Sequence, residues 1–145
     1  MYTLRNYQQE AVDRAVDFFL NGGKERPILE LPTASGKSLI IAYTAKALDG
    51  NILILQPSLE LLKQNHEKYT NAIKGHDDLY PASVFSASAG IKQRWRVTFA
   101  TIGSITNVAE LFADVQYVLV DECHYVPPKE DSMYVSFFSQ IPEAK

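Results

Sequence analysis

Short runs of Val, Ile and Leu, each followed by a helical pattern, constrain this chain more than any other feature. NILILQ (Asn51 to Gln56), VTFAT (Val97 to Thr101) and YVLV (Tyr117 to Val120) are almost continuously apolar, and PILEL (Pro27 to Leu31) and ASVFS (Ala82 to Ser86) are further short runs with strand composition. A strand with one wet face alternates in polarity. A continuous apolar run belongs to a strand covered on both faces, which is the situation of parallel strands under crossover helices. Helical periodicity fills the gaps. Val12, Ala15, Val16 and Phe19 recur at i, i+3, i+4 and i+7 after a capping-box pattern at Asn6 and Gln9, and the pattern ends at Asn21-Gly22-Gly23. Further helices are predicted over Lys37 to Leu48, from about Ser58 with Leu59, Leu62, His66, Tyr69 and Ile73 on one face, and at the end with Met133, Phe137 and Ile141 in line. The expected fold is therefore α/β: a mostly parallel, open sheet with helices on both faces. At 145 residues one such domain fits, large enough to bury about two thirds of its unfolded surface, and a second full domain does not.

In open α/β sheets ligands bind beyond the carboxyl ends of the strands. LPTASGKS (Leu31 to Ser38), QPS (Gln56 to Ser58), ATIGS (Ala100 to Ser104) and DECH (Asp121 to His124) all fall there. LPTASGKS has the composition of a phosphate-binding loop. Gly36 permits close backbone approach, Lys37 supplies a cation, Ser38 offers a metal a hydroxyl, and the N–H groups that open the following helix point at an anion. The commonest loop has a glycine five places before the Gly-Lys pair, and Leu31 stands there instead. At the end of YVLV two adjacent carboxylates suit a magnesium nucleotide site, with Asp121 on the metal or its water and Glu122 orienting an attacking water. Successive side chains of a strand end project to opposite sides, so the two can do different work. That pair favours ATP hydrolysis over transfer to a bound acceptor, and no arginine-rich lid of a metabolic kinase is visible.

Charge and cysteine content narrow the partners. A formal net charge of -3 does not attract nucleic acid generally, so such binding needs a local patch or the backbone. KQRWR (Lys92 to Arg96) interleaves cations with an aromatic ring and fits either a strand-tracking surface or a basic loop beside an edge strand. Cys123 is the one cysteine, which excludes an intrachain disulfide and a multi-cysteine zinc site. The N-terminus MYTLRNYQQE has no apolar signal core, and no apolar run approaches the ~20 residues of a membrane span. A cytoplasmic protein is expected, with no membrane partner.

Five segments in order, LRNYQ (Leu4 to Gln8), LPTASGKS, ILQPSLELLKQ (Ile54 to Gln64), FATIGSI (Phe99 to Ile105) and VDECH (Val120 to His124), resemble the first RecA-like motor domain of the superfamily 2 helicases. The resemblance is to the DExH branch that includes restriction-motor subunits, repair translocases and phage helicases, and so suggests a bacterial or phage origin. It implies a P-loop ATP hydrolase that moves on nucleic acid, DNA before RNA, using ATP and Mg2+. Carried over by position, it implies that Gln8 and Arg5 read the adenine. Thr33, Ala34, Ser35, Gly36, Lys37 and Ser38 would wrap the phosphates, with Lys37 on the terminal pair. Ser38 and Asp121 would hold the metal, Glu122 would act as catalytic base, and His124 would couple the nucleotide site to the strand and to a partner domain. Pro57, Ser58, Gln64, Thr101, Gly103 and Ser104 would hold the nucleic-acid backbone. Relatives commonly have glycine where this chain has Ala34, and many carry arginine where it has Leu59. The resemblance also implies a central strand following Lys145 and a second RecA-like domain, so that residues 1–145 would be one truncated motor domain, weakly active or inactive alone. Rival expectations are a binding or regulatory module with a silent nucleotide site, and an RNA-directed DExH helicase.

Overall fold

The computed structural model describes residues 4–22, 27–31, 36–121, 133–142 and 144–145. In chain order the elements are α1 (Asn6–Asn21), α2 (Lys37–Ala47), β1 (Asn51–Gln56), α3 (Leu59–Ala72), β2 (Ala82–Ser86), β3 (Ile91–Lys92), β4 (Val97–Thr101), α4 (Ile102–Ile105), a 3-10 segment (Thr106–Phe112), β5 (Val115–Val120) and α5 (Met133–Gln140). The five strands form one sheet in the order β3-β2-β4-β1-β5. All pairings are parallel except β2 with β3, a two-residue return at the edge.

The continuous apolar runs are buried on both faces, as their composition requires. Ile52 and Ile54 of β1 point into a cluster with Phe19, Ala42, Ala45, Tyr69 and Phe99. Leu53 and Leu55, one residue out of phase, point into a cluster with Phe85, Ala100, Phe112, Phe137 and Ile141. Helices α1, α2 and α3 thus cover one face, and α4, the 3-10 segment and α5 cover the other. Removing a side chain such as Phe99 from water stabilises by about 1.5–3 kcal/mol, and its ring also meets Tyr69 edge-on at 5.3 Å. Helix α2 is the inner layer, with Ile40 packed against Ala11 and Val12 of α1 and Ala42 against the sheet cluster.

Three expectations are corrected. PILEL forms no strand: residues 27–31 have no regular structure and Ile28 is 69% exposed. A strand needs an edge to bond, and the edge of β5 away from β1 instead meets Lys145, whose N–H donates to Gln116 O at 2.9 Å and whose carbonyl accepts from Val118 N–H at 2.7 Å. The capping box lies one residue earlier than Asn6 and Gln9. Arg5 is the extended residue before the helix, its N–H donates to Gln8 Oε1 at 2.9 Å, and Gln9 bonds Asp13 within the helix. In α5 the buried line is Tyr134, Phe137 and Ile141, and Met133 is exposed, because the helix lays its second residue and not its first on the 3-10 segment.

Candidate nucleotide site

Parallel register brings the ends of three strands together. Gln56 at the end of β1 pairs with Thr101 at the end of β4. On the other side the N–H of Asp121, just past β5, donates to Leu55 O at 2.9 Å and continues the ladder by one residue. Asp121 is consequently 7% exposed, a depth at which a carboxylate requires partners. Lys37 opens α2 above this edge, and its Nζ donates to Asp121 Oδ1 at 2.6 Å. Residues 84 positions apart are so joined at the carboxyl edge of the sheet.

The backbone before Lys37 is shaped for close approach. Gly36 is the N-cap of α2 with φ 80°, a left-handed conformation that glycine adopts freely, and its carbonyl accepts the first helical hydrogen bonds from Leu39 and Ile40. A Cβ on Gly36 would stand 2.2 Å from Gln8 Nε2. Gln8 is therefore against the loop, 2% exposed, and its other amide atom is held by the Arg5 N–H. Arg5 is exposed beside it. Ser38 follows Lys37 in the first turn and is half-buried.

The residues expected on nucleic acid lie along the same edge. Pro57 and Ser58 lead from β1 into α3, where Ser58 Oγ accepts the Leu61 N–H at 3.2 Å, so it is a helix cap with an exposed side chain. Gln64 is exposed on the same helix. Thr101 Oγ1 and Ser104 Oγ share a hydrogen bond of 2.6 Å, and Ser104 Oγ also accepts the Ala87 N–H at 2.9 Å. These two hydroxyls tie β4 to the end of β2, which leaves Gly103, exposed and with open space around its Cα, as the approachable backbone. Thr33, Ala34, Ser35, Glu122 and His124 lie outside the described residues.

KQRWR divides between its two readings. Arg94 lies over the Phe112 ring at 4.6 Å and pairs with Asp114 at 2.9 Å, and Arg96 lies over Tyr80 at 4.4 Å and donates to Leu48 O at 2.9 Å. Both stitch the amino ends of strands, the edge opposite Lys37, so the basic-loop reading holds for them. His66, on the apolar face of α3, bonds Ala82 O at 2.8 Å and packs edge-on against Phe99.

Two residues with no role assigned by sequence join the site. Gln56 Nε2 donates to Asp121 Oδ2 at 2.9 Å, and Asn65 Nδ2 donates to Gln56 Oε1 at 2.9 Å. Their signal was available: a glutamine closes an otherwise apolar strand, and Asn65 interrupts the buried stripe between Leu62 and Tyr69.

The donor chemistry fits Mg2+, a hard cation bound through one or two carboxylates, water and substrate phosphates instead of an all-protein cage. Asp121 offers a dehydrated carboxylate already balanced by a cation, and Ser38 a hydroxyl in the adjoining turn. Among the described residues no cluster of three or more His, Cys, Asp or Glu side chains forms such a cage.

Comparison with known proteins gives a family match and a shared fold. The family model described as type III restriction enzyme, res subunit, matches residues 1–144. The DNA 3'-5' translocase XPB2 of Sulfurisphaera tokodaii is 25% identical over 136 residues, which cover 94% of this chain and 28% of that protein. The UvsW helicase of bacteriophage T4 shares the fold with a TM-score of 0.69 at 23% identity, over 98% of this chain and 50% of that one. A second T4 UvsW structure gives 0.70 at 23% identity, over 98% and 28%. The chain spans between 28% and 50% of the length of these relatives.

Proposed function

The chain belongs to the type III restriction enzyme res subunit family, and on that premise we propose that it is the nucleotide-binding half of an ATP-driven DNA translocase or helicase. The observation that carries the reading is the Lys37 to Asp121 contact at 2.6 Å, which joins the phosphate-loop lysine to the DECH aspartate across the carboxyl edge of the sheet. In this reading Gly36 and the N–H groups of the first turn of α2 cradle the phosphates, and Lys37 exchanges part of its contact with Asp121 for the terminal phosphates. Bound Mg2+ would offset charge on the transferring phosphoryl group. Asp121 and Ser38 are the residues that would hold it. Glu122 would take the proton of the attacking water, and His124 would report the state of the site to a second RecA-like domain.

DNA is favoured over RNA because the relative matched over most of this chain is a DNA translocase by name. Pro57, Ser58, Gln64 and Gly103 line the same edge and would hold the strand backbone without reading sequence. Arg5 and Gln8, at the start of α1, would meet the adenine.

Two measurements test the proposal. Labelled ATP with Mg2+ should bind this chain, and Lys37→Ala should remove most of that binding. In the full-length protein DNA should stimulate ATP hydrolysis, and Glu122→Gln should abolish the stimulated rate while nucleotide binding survives. Unchanged binding in Lys37→Ala overturns the nucleotide site. Hydrolysis indifferent to any DNA or RNA overturns the motor.

A further inference from the structure

Three buried polar side chains cross the carboxyl edge of the sheet behind Lys37. Asn65 donates to Gln56, and Gln56 donates to Asp121, each at 2.9 Å. Gln56 has no exposed surface, and Asn65 and Asp121 are each 7% exposed. The direction of the chain is fixed by its end. A carboxylate only accepts, so Gln56 must turn its NH2 group toward Asp121 and its oxygen toward Asn65. Flipping the amide would set oxygen against carboxylate and NH2 against NH2.

We infer that Gln56 is a positioning residue of the nucleotide site, an inference that rests on the function proposed above: it holds Asp121 Oδ2 so that Oδ1 faces the phosphate loop, and Asn65 holds Gln56. The carboxyl torsion of an aspartate is broad and roughly two-fold, so the backbone alone does not aim it. Magnesium demands near-ideal octahedral geometry, and a carboxylate free to rotate meets that demand only part of the time. Packing gives no reason for glutamine here, because a buried amide is costly unless bonded and leucine would fill the strand end as Leu53 and Leu55 do. Asn65 also lies on α3, the helix of Ser58 and Gln64. The relay therefore ties the helix assigned to the nucleic-acid strand to the carboxylate assigned to the metal.

The test is the affinity of this chain for fluorescently labelled ADP, measured once with Mg2+ and once with EDTA, for the native sequence and for each variant. Gln56→Met keeps length and removes the amide. It should weaken binding about tenfold in Mg2+, as loss of a group that orients a metal ligand does, and change it by less than about twofold in EDTA. Asn65→Asp is nearly isosteric and reverses the preference of the Gln56 amide, turning its oxygen toward Asp121. It should show the same Mg2+-selective loss, and it carries the test should Gln56→Met fail to fold. Equal losses with and without Mg2+, or no loss, overturn the relay while the nucleotide site stands. A native chain that binds ADP in neither condition overturns both.

Discussion

Lys37 and Asp121 illustrate how far one residue's environment determines its use. Each is polar, each sits at the end of an apolar element, and the register of β1 with β5 leaves the carboxylate too deep to stay unpaired. Gly36 is as tightly specified. In Gly36→Ala the left-handed backbone would cost about 1–2 kcal/mol, and the new methyl would meet the Gln8 amide, which accepts the Arg5 N–H and would have to shift. Urea unfolding of Gly36→Ala, Gln8→Ala and the double variant should give a non-additive cycle, with the double less destabilised than the sum. Tyr69 gives a pH prediction. Its hydroxyl donates to Tyr80 O at 2.7 Å, and burial raises its pKa above the ordinary 10.0. The folded state therefore keeps a proton that the unfolded chain releases. Stability from this group is complete below pH 10.0 and falls as pH rises beyond it, at up to about 1.4 kcal/mol per pH unit. Tyr69→Phe should lose about 1 kcal/mol at neutral pH with the hydrogen bond, and its stability should decline less steeply at alkaline pH. An alkaline slope unchanged by Tyr69→Phe would remove Tyr69 as its source.

At the scale of elements, α3 starts on a residue that caps the helix and that the proposed function also sets against nucleic acid. Ser58 closes the open N-terminus of the helix by accepting the Leu61 N–H, while its neighbours Pro57 and Gln56 belong to the strand end. Ser58→Ala should cost about 1 kcal/mol of stability, a usual value for a lost N-cap. Ser58→Asp should restore the cap, since aspartate caps as well as serine, but should weaken single-stranded DNA because a carboxylate repels phosphate. If both variants bind DNA equally, Ser58 is a cap alone. What was legible here follows from periodicity. The strands over 51–56, 82–86 and 97–101 match their apolar runs, and α2 ends within one residue of its pattern. What was not legible depends on partners far along the chain. PILEL has the composition of a strand but is not paired in the sheet, whereas Ile91 and Lys92 lack that composition and pair antiparallel with β2. The link from Gln56 to Asp121 was hidden for the same reason, because those two positions, 65 apart, become neighbours only through the parallel register.

At the scale of the whole molecule, the placement of charge constrains how nucleic acid would be held in the proposed function. The chain carries 14 Lys and Arg against 17 Asp and Glu. Two of its arginines, Arg94 and Arg96, are engaged at the amino edge of the sheet, opposite the ends of β1, β4 and β5 that carry the candidate site. The carboxyl edge instead presents backbone and small polar groups at Pro57, Ser58, Gln64 and Gly103, with exposed Lys63 on α3 and Lys92 on β3 among the nearby cations of the described residues. Association through such groups releases few counterions. If about two phosphates are neutralised, log K for single-stranded DNA should fall with log salt at a slope of about -1.4, well short of a protein that binds through a basic surface. Lys63→Ala and Lys92→Ala should each make the slope shallower by about 0.7. Arg94→Ala and Arg96→Ala should leave the slope alone and lower the unfolding midpoint, because each strips an aromatic ring of its covering cation and removes an ion pair to Asp114 or a hydrogen bond to Leu48 O. A steep slope that flattens on removal of the arginines would transfer nucleic-acid binding to the amino edge, where a strand would lie across the sheet from the nucleotide and could not be moved by closure of the site around Lys37.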